Sequence, residues 1–169
     1  YLCDLYVRIN SEAEKDPAVR EAARAAFKRL EDGDPAARAT WSRFVDITRA
    51  ELERSYSRLG IAFDRYDGES FYESAIPAML DDLRARGLLH ESRGAMVVDV
   101  PGLEEPCILV KADGATIYQT RDLAAAIHRD ATWPGFARCL YVVAANQEFH
   151  FRQVYGVFDL LGSGSTGRL

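Results

Sequence analysis

No apolar run in this sequence approaches the ~20 residues that a membrane-spanning helix needs. Its start has none of the basic, apolar and small-residue order of an export signal. A membrane partner is therefore not expected, and the cytoplasm is the expected location. Cysteine is scarce: Cys3, Cys107 and Cys139 are odd in number, far apart and without C-x-x-C spacing. That excludes a disulfide framework, argues against a metal site, and leads us to expect reduced, buried thiols. Basic charge does not dominate either. Lys and Arg total 21 against 26 Asp and Glu, a net charge of -5. That argues against a surface dominated by phosphate contacts and leaves room for a local basic patch. The G-x-S-x-G elbow, the G-x-x-x-x-G-K-[ST] loop and the G-x-G-x-x-G fingerprint are all missing, so neither a nucleophilic triad nor a glycine-built phosphate cradle is expected.

What is present fits a globular chain. Its 169 residues, 48% apolar and 28% charged, allow one domain or somewhat more. The sequence opens in mid-pattern at Tyr1 and closes on Gly162-Ser163-Gly164-Ser165-Thr166-Gly167-Arg168-Leu169. It is expected to be a piece of something longer, with 163–169 a flexible tail or a cloning remnant.

The first third reads as helix. Val19, Ala22, Ala23, Ala26, Phe27 and Leu30 share one helical face. Asp32-Gly33 ends that helix, and Asp34-Pro35 supplies an N-cap and a first-turn proline for the next. Trp41, Phe44, Val45, Thr48, Leu52, Tyr56 and Leu59 then predict a buried stripe, with Gly60 as the stop. The remainder alternates strand and helix, an α/β pattern. Ile61–Asp64 predicts a short strand, and Ser70 with Glu73 a capping box. The helix that follows is lined by Ile76, Met79, Leu80 and Leu83 and closed by Gly87. Leu88–His90 and Ala95–Val100 predict a hairpin around Ser92-Arg93-Gly94. Cys107–Lys111 and Ala115–Gln119 predict strands, Thr120 a cap for a helix over Arg121–Arg129, Leu140–Ala144 a buried strand of a parallel sheet, and Phe151–Leu161 a last helix. The boundary falls near residue 60: 1–60 a helical insertion or subdomain, and 61–162 an α/β unit.

Candidate site residues cluster at expected strand ends and helix starts: Glu69, Tyr118, Asp122 and Gln147. Two carboxylates suit a guanidinium, whose rigid fork of N–H donors matches them, and a tyrosine ring can stack on that flat cation. A glutamine amide adds a donor and an acceptor for the rest of an amino acid. His150, three after Gln147, could hydrogen-bond a ribose or phosphate, or be a satisfied structural histidine. Asp122 could equally serve the helix dipole from a first turn, and Glu69 could be a turn residue. His90 and His128 read as surface residues.

These residues carry a resemblance. Asp113-Gly114-Ala115-Thr116-x-Tyr118-x-Thr120-Arg121-Asp122-Leu123-Ala124, then Tyr141-Val142-Val143 with Gln147-x-x-His150-Phe151, resemble the arginyl-tRNA synthetases, class I aminoacyl-tRNA synthetases. Gly68-Glu69-Ser70-Phe71-Tyr72 and the run from Gly33-Asp34-Pro35 to Phe44-Val45 are similar to that family too, so the resemblance covers roughly residues 2 to 162. It implies the later part of a Rossmann-like catalytic domain, with residues 1–60 inserted as helices. It further implies ATP-dependent activation of arginine, with ATP and Mg2+ as substrate, and transfer to tRNA-Arg. By the resemblance, Tyr118 and Asp122 hold the arginine side chain, Gln147 contacts arginine, Glu69 is a second carboxylate, and His150 lies on the ATP side. The family's H-I-G-H and K-M-S-K-S signatures are absent from these residues. No catalytic residue is therefore assigned, and the piece alone is expected to be inactive. A stand-alone relative kept as an arginine-binding or regulatory module is the alternative, and a ligand-free scaffold the third possibility.

Overall fold

In a computed structural model of the chain, residues 1–162 are described, and the Gly/Ser tail expected at 163–169 lies outside them. Residue contacts divide the chain into two units, Tyr1–Asp64 and Arg65–Leu169.

The first unit is three helices: α1 (Leu2–Lys15), α2 (Pro17–Glu31) and α3 (Pro35–Arg58). Asp16 caps α2 through Ala18 N–H at 2.8 Å, and Asp34 caps α3 through Ala37 N–H at 2.8 Å, each with a proline next in the chain. The end of α3 is a paired backbone cap: Gly60 N–H donates to Ser57 O at 3.2 Å and Ile61 N–H to Tyr56 O at 2.9 Å, with Gly60 at φ 68°. Two expectations fail here. Ile61–Asp64 is not a strand. Its first N–H is committed to the helix end, and Phe63 turns back to meet Tyr56 edge-on at 4.8 Å. The apolar stripe of α3 is not buried: Trp41, Phe44, Val45 and Leu52 are all exposed. Their spacing makes the face amphipathic, but no layer within this unit covers it. Cys3 is exposed as well, against the expectation of buried thiols.

The core lies in the second unit. Short 3-10 turns over Glu69–Phe71 and Glu73–Ala75 lead into α4 (Ile76–Ala85). The expected Ser70/Glu73 capping box does not form. Pro77 in the first turn starts α4 later instead, and Glu73 faces Arg121 at 4.0 Å. The sheet is an antiparallel meander of β1 (Leu89–Ser92), β2 (Ala95–Val98) and β3 (Cys107–Val110). Arg93 and Gly94, both at positive φ, make the tight turn that joins the first two strands as expected. Helices α5 (Tyr118–Thr132) and α6 (Glu148–Leu160) pack on each other and on β3. Leu83, Val98, Leu109, Leu123, Val157 and Phe158 form the centre of the buried cluster. Cys107 belongs to it, and loss of hydration pushes its thiol up to about 12.

Two strand expectations shrink in this unit. Ala115–Gln119 is reduced to a single bridge, Val110 to Thr116, because α5 already begins at Tyr118. Thr120 is not the N-cap. Its buried hydroxyl accepts from Ile117 N–H at 3.3 Å and donates to Leu109 O, stitching the first turn of α5 to β3. Leu140–Ala144 has no regular secondary structure and joins no sheet, and Val142 is 97% exposed. A strand buried on both faces needs neighbours on both edges, and among the described residues it has none.

Candidate functional site

Helix geometry brings the first pair together. Tyr118 and Asp122 stand one turn apart in the opening turns of α5, on one face. At the start of α6, His150 reaches the same place from across the helix pair. Its Nε2 lies 2.7 Å from Asp122 Oδ2, and its ring centroid lies 4.8 Å from that of Tyr118 and 4.7 Å from that of Phe151. The imidazole is 6% exposed, whereas the Asp122 side chain keeps 33% of its surface. The ring is therefore enclosed while the carboxylate still reaches solvent. Its Nδ1 is enclosed without a partner, as is Gln119 Oε1.

Beside this cluster is a pocket of about 300 Å3 whose lining includes Tyr118, Gln119, Asn146, Gln147 and His150. Gln153, one turn beyond His150, shapes its rim. Its amide donates to Glu105 O at 3.3 Å and Pro106 O at 3.0 Å, fastening the stretch before β3 onto α6. A larger, apolar cleft of about 510 Å3 lies along α4, α5 and α6 and includes none of the expected site residues.

The structure thus brings Tyr118, Gln147 and His150 to one pocket and ties Asp122 to it through the imidazole. Tyr118 does so as the first residue of a helix, not as a strand residue. Asp122 is not among the pocket's lining residues, and neither is Glu69. The Glu69 carboxylate faces Arg121 Nε at 3.6 Å. His128, expected at the surface, stacks edge-on against Phe71 at 5.2 Å and Tyr72 at 5.5 Å. Sequence reasoning missed Gln119, Gln153 and Arg121. For Gln153 a signal existed: it shares a helical face with His150, Val154 and Val157, and an amide on a buried stripe calls for partners.

A second polar knot holds the segment after α5. Arg129 donates to Tyr141 Oη at 3.0 Å, and its guanidinium stands over the Tyr72 and Tyr141 rings at 5.8 and 5.2 Å. Burial pushes the Tyr141 phenol up to about 12, an effect that the nearby Arg129 charge only partly offsets.

Comparison with known proteins extends the picture over nearly the whole chain. Residues 1–164 match the family described as tRNA synthetases class I (R), catalytic domain. An arginine–tRNA ligase of Clostridium beijerinckii is 48% identical over 165 residues, covering 95% of this chain and 29% of the relative. One from Streptococcus thermophilus is 48% identical over 163 residues, with the same coverage. The chain therefore spans about 29% of the length of these relatives. Among solved structures, arginyl-tRNA synthetase of Plasmodium falciparum superposes with a TM-score of 0.77 at 22% identity, covering 90% of this chain and 27% of that one. A putative arginyl-tRNA synthetase from Campylobacter jejuni gives 0.65 at 21% identity, covering 90% and 34%. At such identities these two establish likeness of fold.

Proposed function

Because the chain belongs to the class I arginyl-tRNA synthetase catalytic-domain family, we propose that it supplies part of the arginine pocket of an arginine–tRNA ligase. The observation that carries this is the meeting of Tyr118, Asp122 and His150 beside a pocket that Gln147 also lines. In this reading Asp122 receives the guanidinium as a charge-assisted partner, and the Tyr118 ring stacks on its flat face. The Gln147 amide contacts the amino-acid end. His150 marks the side from which ATP approaches. Glu69 contributes as a second carboxylate only by exchanging Arg121 for the substrate, since Arg121 holds it at 3.6 Å. Residues 1–60 are the helical insertion of that domain and 61–162 its later, Rossmann-like part.

The proposed reaction is ATP-dependent activation of arginine followed by transfer to tRNA-Arg, in the cytoplasm. Among the described residues no group of three or more His, Cys, Asp or Glu could hold a metal ion. In this reading magnesium enters with ATP as substrate. The residues of this chain bind and orient arginine. The H-I-G-H and K-M-S-K-S signatures, which supply donors and cations to the phosphoryl chemistry, are not among its 169 residues. Each such lost contact costs about 3 kcal/mol of transition-state stabilisation.

Arginine-dependent ATP–pyrophosphate exchange tests the proposal. The protein at its full natural length should catalyse it, Asp122→Asn should abolish it, and the 169-residue chain alone should show none. Exchange undiminished in Asp122→Asn refutes the pocket as drawn. Arginine binding without exchange at full natural length would instead favour the alternative, a stand-alone binding or regulatory module.

A further inference from the structure

The geometry points to His150 as a positioning residue for Asp122: the imidazole, kept neutral with its hydrogen on Nε2, pins one oxygen of a carboxylate whose other oxygen is left for a cationic guest. This rests on the proposal that Asp122 receives the guanidinium.

The hydrogen can be placed from the surroundings. Nε2 faces Asp122 Oδ2 at 2.7 Å, and an ionised carboxylate only accepts, so Nε2 carries the hydrogen. Nδ1 is buried without a partner. In an imidazolium it would be an unmet donor, leaving half of a charged group's hydrogen bonding unsatisfied. In the neutral ring it is a lone pair, the cheaper of the two to leave alone. The Tyr118 and Phe151 rings, at 4.8 and 4.7 Å, hold the imidazole in place. Asp122 thus keeps its whole negative charge, and its rotation is spent before any ligand arrives. Pre-ordering of this kind raises affinity without adding a contact.

The same arrangement ties binding to pH. The titratable groups beside the ring are Asp122 and Tyr118 from α5, Glu105 ahead of β3 lines the same pocket, and the Asp122 charge reaches Tyr155 on α6. Protonating His150 sets a positive charge against Asp122 and opposes a second cation there. A proton added to that ring should therefore weaken the binding of a guanidinium.

Titration calorimetry with L-arginine on the protein at full natural length tests this, alongside thermal unfolding to confirm that each variant folds. His150→Phe keeps the ring's bulk and loses the donor, and should weaken binding about tenfold, the worth of one hydrogen bond to a charged group. His150→Gln can place an amide N–H where Nε2–H stood. It should recover most of that loss while removing the weakening at acid pH. His150→Phe binding as tightly as the unmodified protein overturns the inference. So does His150→Gln binding as weakly as His150→Phe, or keeping the acid weakening. Arginine binding undiminished in Asp122→Asn overturns the underlying pocket proposal, and the inference with it. Loss in Asp122→Asn without any loss in His150→Phe overturns the inference alone.

Discussion

Gly156, in the middle of α6, is where the packing of the second unit is least forgiving. A Cβ built there would lie 2.1 Å from Val100 Cγ1, 3.3 Å from Val100 Cβ and 3.4 Å from Val100 Cγ2. Turning Val100 about χ1 does not clear the space, because its β carbon and second methyl are also close. Val100 is 7% exposed and cannot swing into solvent. Gly156→Ala gains about 1 kcal/mol of helix propensity against roughly 1–3 kcal/mol of overpacking. Because the nearest atoms belong to a buried, branched side chain, the upper half of that range applies, and the net loss is about 1–2 kcal/mol. In a unit of this size that lowers Tm by roughly 5–15 °C. Val100→Ala alone should cost roughly 2 kcal/mol, through lost burial and the space left behind. The double variant should be more stable than the sum of the singles predicts, with a coupling on the order of 1–2 kcal/mol. Urea unfolding followed by circular dichroism measures all three. Gly156→Ala as stable as the parent, or additive effects in the double variant, would refute the argument that the close fit of Gly156 against the Val100 side chain sets the seat of α6. The consequence reaches the site, since α6 also carries His150.

Thr120→Val should cost about 1–3 kcal/mol, because Leu109 O loses its buried donor, while Thr120→Ser should retain most of the stability. Equal urea midpoints for the two variants would contradict this. Iodoacetamide at about pH 8 should label the exposed Cys3 and spare native Cys107, whose thiolate burial disfavours. Because folding raises the Cys107 pKa from 9.0 to about 12, its contribution to stability is whole below 9.0 and is lost as pH climbs towards 12. The loss should be missing from Cys107→Ala in pH-dependent unfolding.

The helices were legible where local chemistry decides them. Asp16-Pro17 and Asp34-Pro35 satisfy first-turn N–H groups whatever lies around them, and Gly60 and Gly87 close helices at positive φ that other residues resist. The hairpin at Arg93-Gly94 is local in the same sense. Misreadings fell where distant partners decide. Val142 and its neighbours have the composition of a buried strand, but composition does not state whether a neighbouring strand exists. Trp41 and Phe44 mark a face without saying what covers it. The start of α5 was misplaced because Thr120 makes its decisive bond to Leu109, eleven residues back, a choice that no window around Thr120 reveals. Of the site, the type and spacing of Tyr118, Asp122, Gln147 and His150 were visible. The link between His150 and Asp122 was not, since it spans 28 positions. Nor was the diversion of Glu69 to Arg121.

That diversion shapes what an approaching molecule experiences. Arg121 adjoins Asp122 in the chain, and left bare it would repel any positively charged visitor. Glu69 and Glu73, at 3.6 and 4.0 Å, engage it instead. Arg121 is matched by two carboxylates of its own, apart from Asp122. A carboxylate outside the pocket lining thus offsets a cation that would otherwise stand unopposed beside Asp122.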